Sequence, residues 1–239
     1  MGLLPGRGER NMEPGPLQVI YEDNHLLAVV KPAGLATMGL RDNRPTLLTL
    51  AKSYIKQRYH KPGNVYLGVV SRLDAPVTGL VLLARTSKAA RRLTEQFRTR
   101  AVEKVYWAMV EGLPRPAAGT WEDWLGPDER HRRMRVVGPT MPDAKVARLA
   151  YRQLRALEVG SLLEIRPETG RKHQIRLQLA RRGHPVLGDR KYGSQRLFMK
   201  TPGIALHARR LTITHPVKNE PLALEVPVPE AWHSFGVVG

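Results

Sequence analysis

Two apolar runs, residues 65–70 and 80–84, bracket the segment Ser71-Arg72-Leu73-Asp74-Ala75-Pro76-Val77-Thr78-Gly79. Apolar runs of that length bounded by turn residues read as buried strands, so a fold must be found that holds the carboxylate of Asp74 on a turn with core on both sides. Pro76 and Gly79 restrict the backbone path through that turn. Taken alone, Asp74 reads as a turn cap that bonds its own backbone. The remainder of the chain decides between that reading and a reactive carboxylate.

Charge narrows the classes of partner. The 239 residues carry 39 Lys and Arg against 21 Asp and Glu, a formal net charge of +18, which points to a polyanion such as nucleic acid or to an anionic surface. With no cysteine there are no disulfides, thiolate metal sites or cysteine nucleophiles, and the eight histidines show no metal-ligand spacing. No metal or cofactor is expected. No apolar run approaches the length of a membrane span, and the N-terminal stretch lacks the apolar core of a signal peptide. Residues 1–16 are expected to form a flexible tail, residues 17–230 a single domain and residues 231–239 a C-terminal tail, in a cytoplasmic protein that is a monomer by default.

Along the chain, apolar residues 17–21 and 25–31 flank Glu22-Asp23-Asn24 and predict a hairpin, stopped by Lys31-Pro32-Ala33-Gly34. A loop through Arg41-Asp42-Asn43-Arg44-Pro45 leads to Thr46, the predicted cap of a helix to about Arg58 with Leu47, Leu50, Ser53, Tyr54 and Gln57 at helical spacing. Ser87 is the predicted cap of a second helix with an Ala89, Leu93 and Phe97 stripe. Its other surface carries Lys88, Arg91, Arg92, Arg98 and Arg100, a solvated face or a phosphate contact. Residues 102–111 predict a strand with Tyr106, Ala108 and Val110 on one side. Residues 119–142 predict loop, with Trp121 and Trp124 as core anchors and Arg130-His131-Arg132-Arg133-Met134-Arg135 facing nucleic acid. Residues 145–157 and 161–166 predict a hairpin. A helix from about His173 to Arg182 then buries Ile175, Leu177 and Leu179, and Arg171 and Arg176 flank its first turn, where either meets a carboxylate or a phosphate. Gly188-Asp189-Arg190-Lys191-Tyr192-Gly193 predicts a tight loop, and residues 205–214 and 222–228 two further strands.

Six of these pieces stand in the order found in one family: Lys31-Pro32-Ala33-Gly34; Arg72-Leu73-Asp74 with Thr78-Gly79; Lys104-Val105-Tyr106; Thr169-Gly170-Arg171-Lys172-His173-Gln174-Ile175-Arg176; His184-Pro185-Val186-Leu187-Gly188-Asp189; and Leu206-His207-Ala208. Together they resemble the RluA-type pseudouridine synthases, which isomerise uridine to pseudouridine in structured RNA. The resemblance implies an α+β fold with a bent, mixed, mainly antiparallel sheet flanked by helices and split by an RNA-binding cleft. It makes Asp74 the catalytic aspartate, Tyr106 the tyrosine against the uracil, Arg176 the cation paired with the aspartate, and Arg72 the arginine that helps to extrude the nucleotide. Thr78, Arg171, His173 and Gln174 are expected to contact substrate, which is ribosomal or transfer RNA. Ser71 stands where many relatives have His, and Val77-Thr78 where many have Thr-Ser; both are expected to bear on turn geometry. The small RNA-binding domain that several relatives carry is not expected before Leu17.

The chemistry fits one carboxylate. Breaking the N1–C1′ bond passes through a transition state with oxocarbenium character, which an ionised carboxylate stabilises or traps, and a neighbouring guanidinium favours the ionised form. A glycoside hydrolase normally needs a second carboxylate, for which the segments offer no candidate. A non-catalytic RNA-binding or ribosome-assembly factor explains the charge equally well and is the remaining alternative.

Overall fold

A computed structural model describes residues 16–39, 44–198 and 202–238. The expected N-terminal tail up to residue 15, and Arg41, Asp42 and Asn43 of the expected loop, lie outside the described residues.

The chain opens with a hairpin, β1 (Val19–Glu22) and β2 (Leu26–Lys31), followed by α1 (Leu47–Arg58), the short β3 (Gly68–Val69) and β4 (Thr78–Ala84). Strands β2 and β4 pair antiparallel and are apolar at nearly every position because both faces are covered. Alternation sends Leu27, Val29, Val81 and Leu83 to one side, where Leu47, Ala51 and Ile55 of α1 pack. It sends Leu26, Ala28, Leu80, Leu82 and Ala84 to the other, against Ala89 and Leu93 of α2 (Ser87–Arg98). The buried stripe of α1 is therefore Leu47-Ala51-Ile55; Ser53 and Gln57, expected within it, are exposed. Thr46 caps α1 as expected, its hydroxyl accepting from Thr49 N while Thr49 Oγ1 accepts from Thr46 N. The cap of α2 is Thr86 rather than Ser87, since the Thr86 hydroxyl is the one that accepts from Ala89 N.

Next come β5 (Glu103–Val110), β6 (Ala118–Asp128), β7 (Arg133–Val136), β8 (Lys145–Leu157), β9 (Gly160–Pro167), α3 (Gln174–Arg181), β10 (Leu206–Thr214) and β11 (Pro221–Glu225). They complete one sheet in the order β1-β2-β4-β10-β5-β9-β8-β6-β7, with β11 on β10 and β3 on β4. Among the described residues only β4 and β10 run parallel, so the sheet is mixed and mainly antiparallel as expected. That parallel contact needs Gly79: its φ is +117°, and a Cβ there would lie 2.4 Å from the Ala208 carbonyl oxygen.

Two segments differ from expectation. Residues 119–142 are not loop-rich: β6 and β7 form a hairpin whose inward positions include Gly119 and Asp123, which blurs the apolar alternation. Trp121 lies against the Tyr151 ring, with centroids 4.1 Å apart. The C-terminal stretch is not a tail. A 3-10 helix at Glu230–Phe235 buries Trp232, and Trp232 and Val237 are each only 1% exposed within the largest core cluster.

The β1–β2 turn carries an acid-sensitive lock. Asp23 Oδ1 accepts from the backbone N–H groups of His25 and Leu26, both at 2.8 Å, and Oδ2 from Tyr21 Oη at 2.9 Å and His215 Nε2 at 2.8 Å. Burial pushes this carboxyl up, but the four donors outweigh it and hold it at about 2, below the ordinary carboxylate value. A depressed folded value contributes stability above the unfolded value, which is lost as pH falls through the folded one; here the window is about pH 4 to about pH 2, and the contribution is about 2 kcal/mol. Asp23→Asn should therefore be less stable than the parent by about that amount at neutral pH. Urea denaturation should show the gap shrinking on acidification, and a gap independent of pH would contradict the assignment.

Candidate active site

The segment between β3 and β4 is fastened by buried groups from other parts of the chain. Thr37, 4% exposed, brackets Leu73, its hydroxyl donating to the Leu73 carbonyl at 2.9 Å and accepting from Leu73 N at 3.2 Å. The Ala75 carbonyl accepts from Gly34 N and from Lys31 Nζ, and the Pro76 carbonyl from Ile204 N. Lys31 has no exposed surface and gives its ammonium protons to the carbonyls of Pro32, Leu35 and Ala75 at 2.8–2.9 Å. Burial pulls this group down to about 7 and the Asp74 charge opposes it, while three carbonyl acceptors match the three donors of the ammonium form. The Asp74 turn closes on itself through Val77 N and the Asp74 carbonyl at 3.0 Å and is otherwise tied to these outside groups, which fixes the carboxylate in place.

Asp74 points into a cavity of about 610 Å³ also lined by His173, Arg176, Asp189, Arg190, Lys191 and Phe198, a size that accommodates a nucleoside. Arg176 Nη1 donates to Asp74 Oδ2 at 2.9 Å. The same guanidinium forms a two-pronged pair with Asp189, from Nε to Oδ2 at 2.6 Å and from Nη2 to Oδ1 at 2.9 Å. Burial opposes the charge of Arg176, and the hydrogen bonds and charges of Asp189 and Asp74 outweigh it, so the guanidinium is held above its ordinary range. The side chain of Asp189 is 2% exposed, that of Arg176 5% and that of Asp74 27%. Asp189 therefore anchors the arginine inside the protein, and Asp74 alone of the three meets the cavity with a substantial surface. His173 Nε2 lies 3.8 Å from the same Oδ2.

Tyr106 lies on β5 opposite Ala208 of β10 and Ile165 of β9. It lines a narrow slot with Arg72, Leu73, Lys104, Phe97 and Arg210, next to the Asp74 segment, and is not among the residues that line the larger cavity. Burial first and the Asp74 charge second push its hydroxyl up to about 12, so it keeps its proton at neutral pH. Arg72 is exposed at that slot. The structure thus brings Asp74, Arg176 and His173 together, with Tyr106 and Arg72 beside them.

The other expected contacts are placed differently. Gln174 is 4% exposed: its Oε1 accepts from Thr169 Oγ1 and Arg171 N, and its Nε2 donates to the Arg148 carbonyl. All its polar atoms are used in holding the β9–α3 turn, so it does not face substrate. The Thr78 hydroxyl is engaged with His207 Nδ1 at 2.8 Å, and His207 is buried. Arg171 is half-buried, its Nε tied to the Val146 carbonyl at 3.0 Å. Sequence reasoning did not single out Asp189, Lys31, Thr37 or Tyr192. The first two stood inside motif segments, and a lysine or aspartate next to Pro and Gly punctuation was their only signal. Among the described residues no group of three His, Asp or Glu is placed to hold a metal ion.

Comparison with known proteins follows the same lines. Residues 25–181 match the family model described as RNA pseudouridylate synthase. The chain is 34% identical over 218 residues to the RNA pseudouridine synthase YhcT of Bacillus subtilis, covering 91% of this chain and 70% of that one. It is 34% identical over 214 residues to the dual-specificity RNA pseudouridine synthase RluA of Salmonella typhimurium, covering 88% and 93%. The solved structure of human RNA Pseudouridylate Synthase Domain Containing 4 superposes with a TM-score of 0.74 at 26% identity, over 92% of this chain and 93% of that one. The fold, the meeting of Asp74, Arg176 and Asp189 from three motif segments and these matches agree: the chain belongs to the RluA-type RNA pseudouridine synthases and is an isomerase of uridine in RNA.

Proposed function

We propose that Asp74 is the reacting carboxylate of this pseudouridine synthase and that its target uridine lies in ribosomal or transfer RNA. The observation that carries the first part is the division of labour at the carboxylate: Arg176 Nη1 and His173 Nε2 both act on Oδ2. Oδ1 is then the oxygen presented to C1′ of a uridine turned out of its stack. Extrusion costs a few kcal/mol, offset by contacts in the pocket and by phosphate pairing. Arg72, exposed at the slot, takes part in that step, and the +18 charge supplies the general attraction for the phosphates.

Once the uridine is seated, the carboxylate meets developing positive charge at C1′ as the N1–C1′ bond breaks. A covalent adduct at C1′ and removal of a 2′ proton are two routes open to it, and both begin from the same contact. The freed uracil turns against the flat face of Tyr106, C5 bonds to C1′, the C5 proton leaves, and N1 takes up a proton from solvent. No water is consumed and nothing is oxidised, so no cofactor has a task. The enzyme works in the cytoplasm as a monomer.

Relatives bear on the second part. One at 36% identity is a ribosomal large subunit pseudouridine synthase D of Nitrosomonas europaea, of whose length this chain covers 63%, and the Salmonella relative is of dual specificity. Mapping pseudouridines across total RNA from a strain lacking the gene should show defined sites lost from ribosomal or transfer RNA and restored by the intact gene. Loss confined to messenger RNA would refute the assignment of target.

A further inference from the structure

Tyr192, which has no part in the roles above, sits behind His173 in a 3-10 turn at Arg190–Tyr192. Its hydroxyl oxygen is 2.8 Å from His173 Nδ1 and accepts from the backbone N–H of Met134 at 3.1 Å. A phenol has one proton to give. It can go to His173 Nδ1 at 2.8 Å or to the Met134 carbonyl at 3.4 Å, and the 2.8 Å contact fits a hydrogen bond in either direction. The other end of the ring decides between the two: Asp74 Oδ2, 3.8 Å from Nε2, is better faced by an N–H than by a lone pair, which puts the single proton of the neutral imidazole on Nε2 and leaves Nδ1 to accept from the Tyr192 hydroxyl. Burial lowers His173 to about 4, so the ring is neutral at neutral pH and a choice of tautomer exists to be made.

The ring has little else to orient it. His173 occupies the N-cap of α3 with φ +55°, in the left-handed region, and its side chain makes no capping hydrogen bond. Tyr192, by contrast, is held firmly. It is 8% exposed, the Arg176 guanidinium carbon lies 5.1 Å from its ring centroid, and its ring meets that of His173 edge-on at 5.7 Å. The donor on its far side belongs to β7, the strand that follows the arginine-bearing turn of the β6–β7 hairpin.

We propose that Tyr192 is a positioning residue: its hydroxyl fixes the tautomer and direction of His173, so that Nε2–H faces the Oδ2 side of Asp74 and the cavity. Arg176 Nη1 remains the donor bonded to Oδ2, and the neutral Nε2–H beside it is left for an oxygen of the bound nucleotide. This rests on the reading that Asp74 reacts, yet the state of His173 can be measured apart from it.

The test uses the full chain with 15N-labelled histidine. NMR of the parent should show His173 with Nε2 protonated and Nδ1 bare and accepting, and Tyr192→Phe should give averaged signals of exchanging tautomers. With RNA tritiated at uracil C5, Tyr192→Phe should lower kcat about tenfold and change KM less than about twofold, as expected for one lost hydrogen bond that acts on the chemical step. His173→Gln keeps an N–H donor but has no tautomer to set, so adding Tyr192→Phe to it should cost less than about twofold more. A parent protonated on Nδ1, or an equal kcat loss from Tyr192→Phe in both backgrounds, would overturn the proposal. Should Asp74→Asn stay active, the reading of Asp74 fails while the tautomer measurement still reports on Tyr192.

Discussion

Asp74→Asn is expected to reduce tritium release from RNA tritiated at uracil C5 by at least about 10⁴-fold, as removal of a reacting group does in other enzymes. Asparagine keeps the shape of the side chain and an oxygen for Arg176, but it has no negative charge to meet C1′. The buried guanidinium remains neutralised by its two-pronged pair with Asp189, so the variant should fold with a melting temperature near that of the parent. RNA affinity should also change little, because phosphate contacts made by a chain of charge +18 dominate binding. Retained folding and RNA binding with lost release separates chemistry from recognition. Release near the parental rate would remove Asp74 from the mechanism.

Asp189→Asn is expected to have the largest effect on stability, about 3–5 kcal/mol, because it leaves Arg176 in the interior without its main counter-charge. Both hydrogen bonds from Nε and Nη2 end on that one carboxylate, and neither side chain is more than 5% exposed. The physical cause can be isolated with a second substitution. If the cost lies in an unpaired buried charge, Arg176→Met added to Asp189→Asn should recover part of the lost stability although activity stays low, since the charge then disappears from the interior. Denaturant titrations of the parent, both single variants and the double variant give the comparison. A double variant less stable than Asp189→Asn would show that shape rather than charge sets the cost.

Elements whose burial is one-sided or complete were legible from sequence. The runs in β2 and β4 are apolar throughout because α1 and α2 cover opposite faces, and Thr46 at the start of α1 carries its capping role in its identity. The β6–β7 hairpin was not legible, because its inward positions include a glycine under the Tyr151 ring and an aspartate that accepts from Gln178 and Arg182. At the C-terminus, Trp232 stands in a short stretch between Pro229 and Gly236 with no extended apolar run, and only the assembled core shows what it packs on.

The site divides along the same line. Asp74 and Arg176 are 102 residues apart and were joined by resemblance, then by a 2.9 Å contact. Of the groups that hold them, Asp189 meets Arg176 across 13 residues, Lys31 reaches the Ala75 carbonyl across 44, and Thr37 brackets Leu73 across 36. No local pattern encodes such contacts. Gln174, placed by its motif at the substrate, proves to serve the turn that starts α3, which shows that a motif marks a site without assigning each member to its ligand.

The most direct measurement is a crystal structure of the Asp74→Asn variant bound to a substrate RNA with its uridine intact. It should place that uridine out of the stack beside the Asp74 segment, with the ring against Tyr106 and C1′ within about 3–3.5 Å of the side chain at position 74, the separation of reacting atoms poised to combine. A target nucleotide still stacked in its helix, or a ribose held beyond reach of that side chain, would contradict the account.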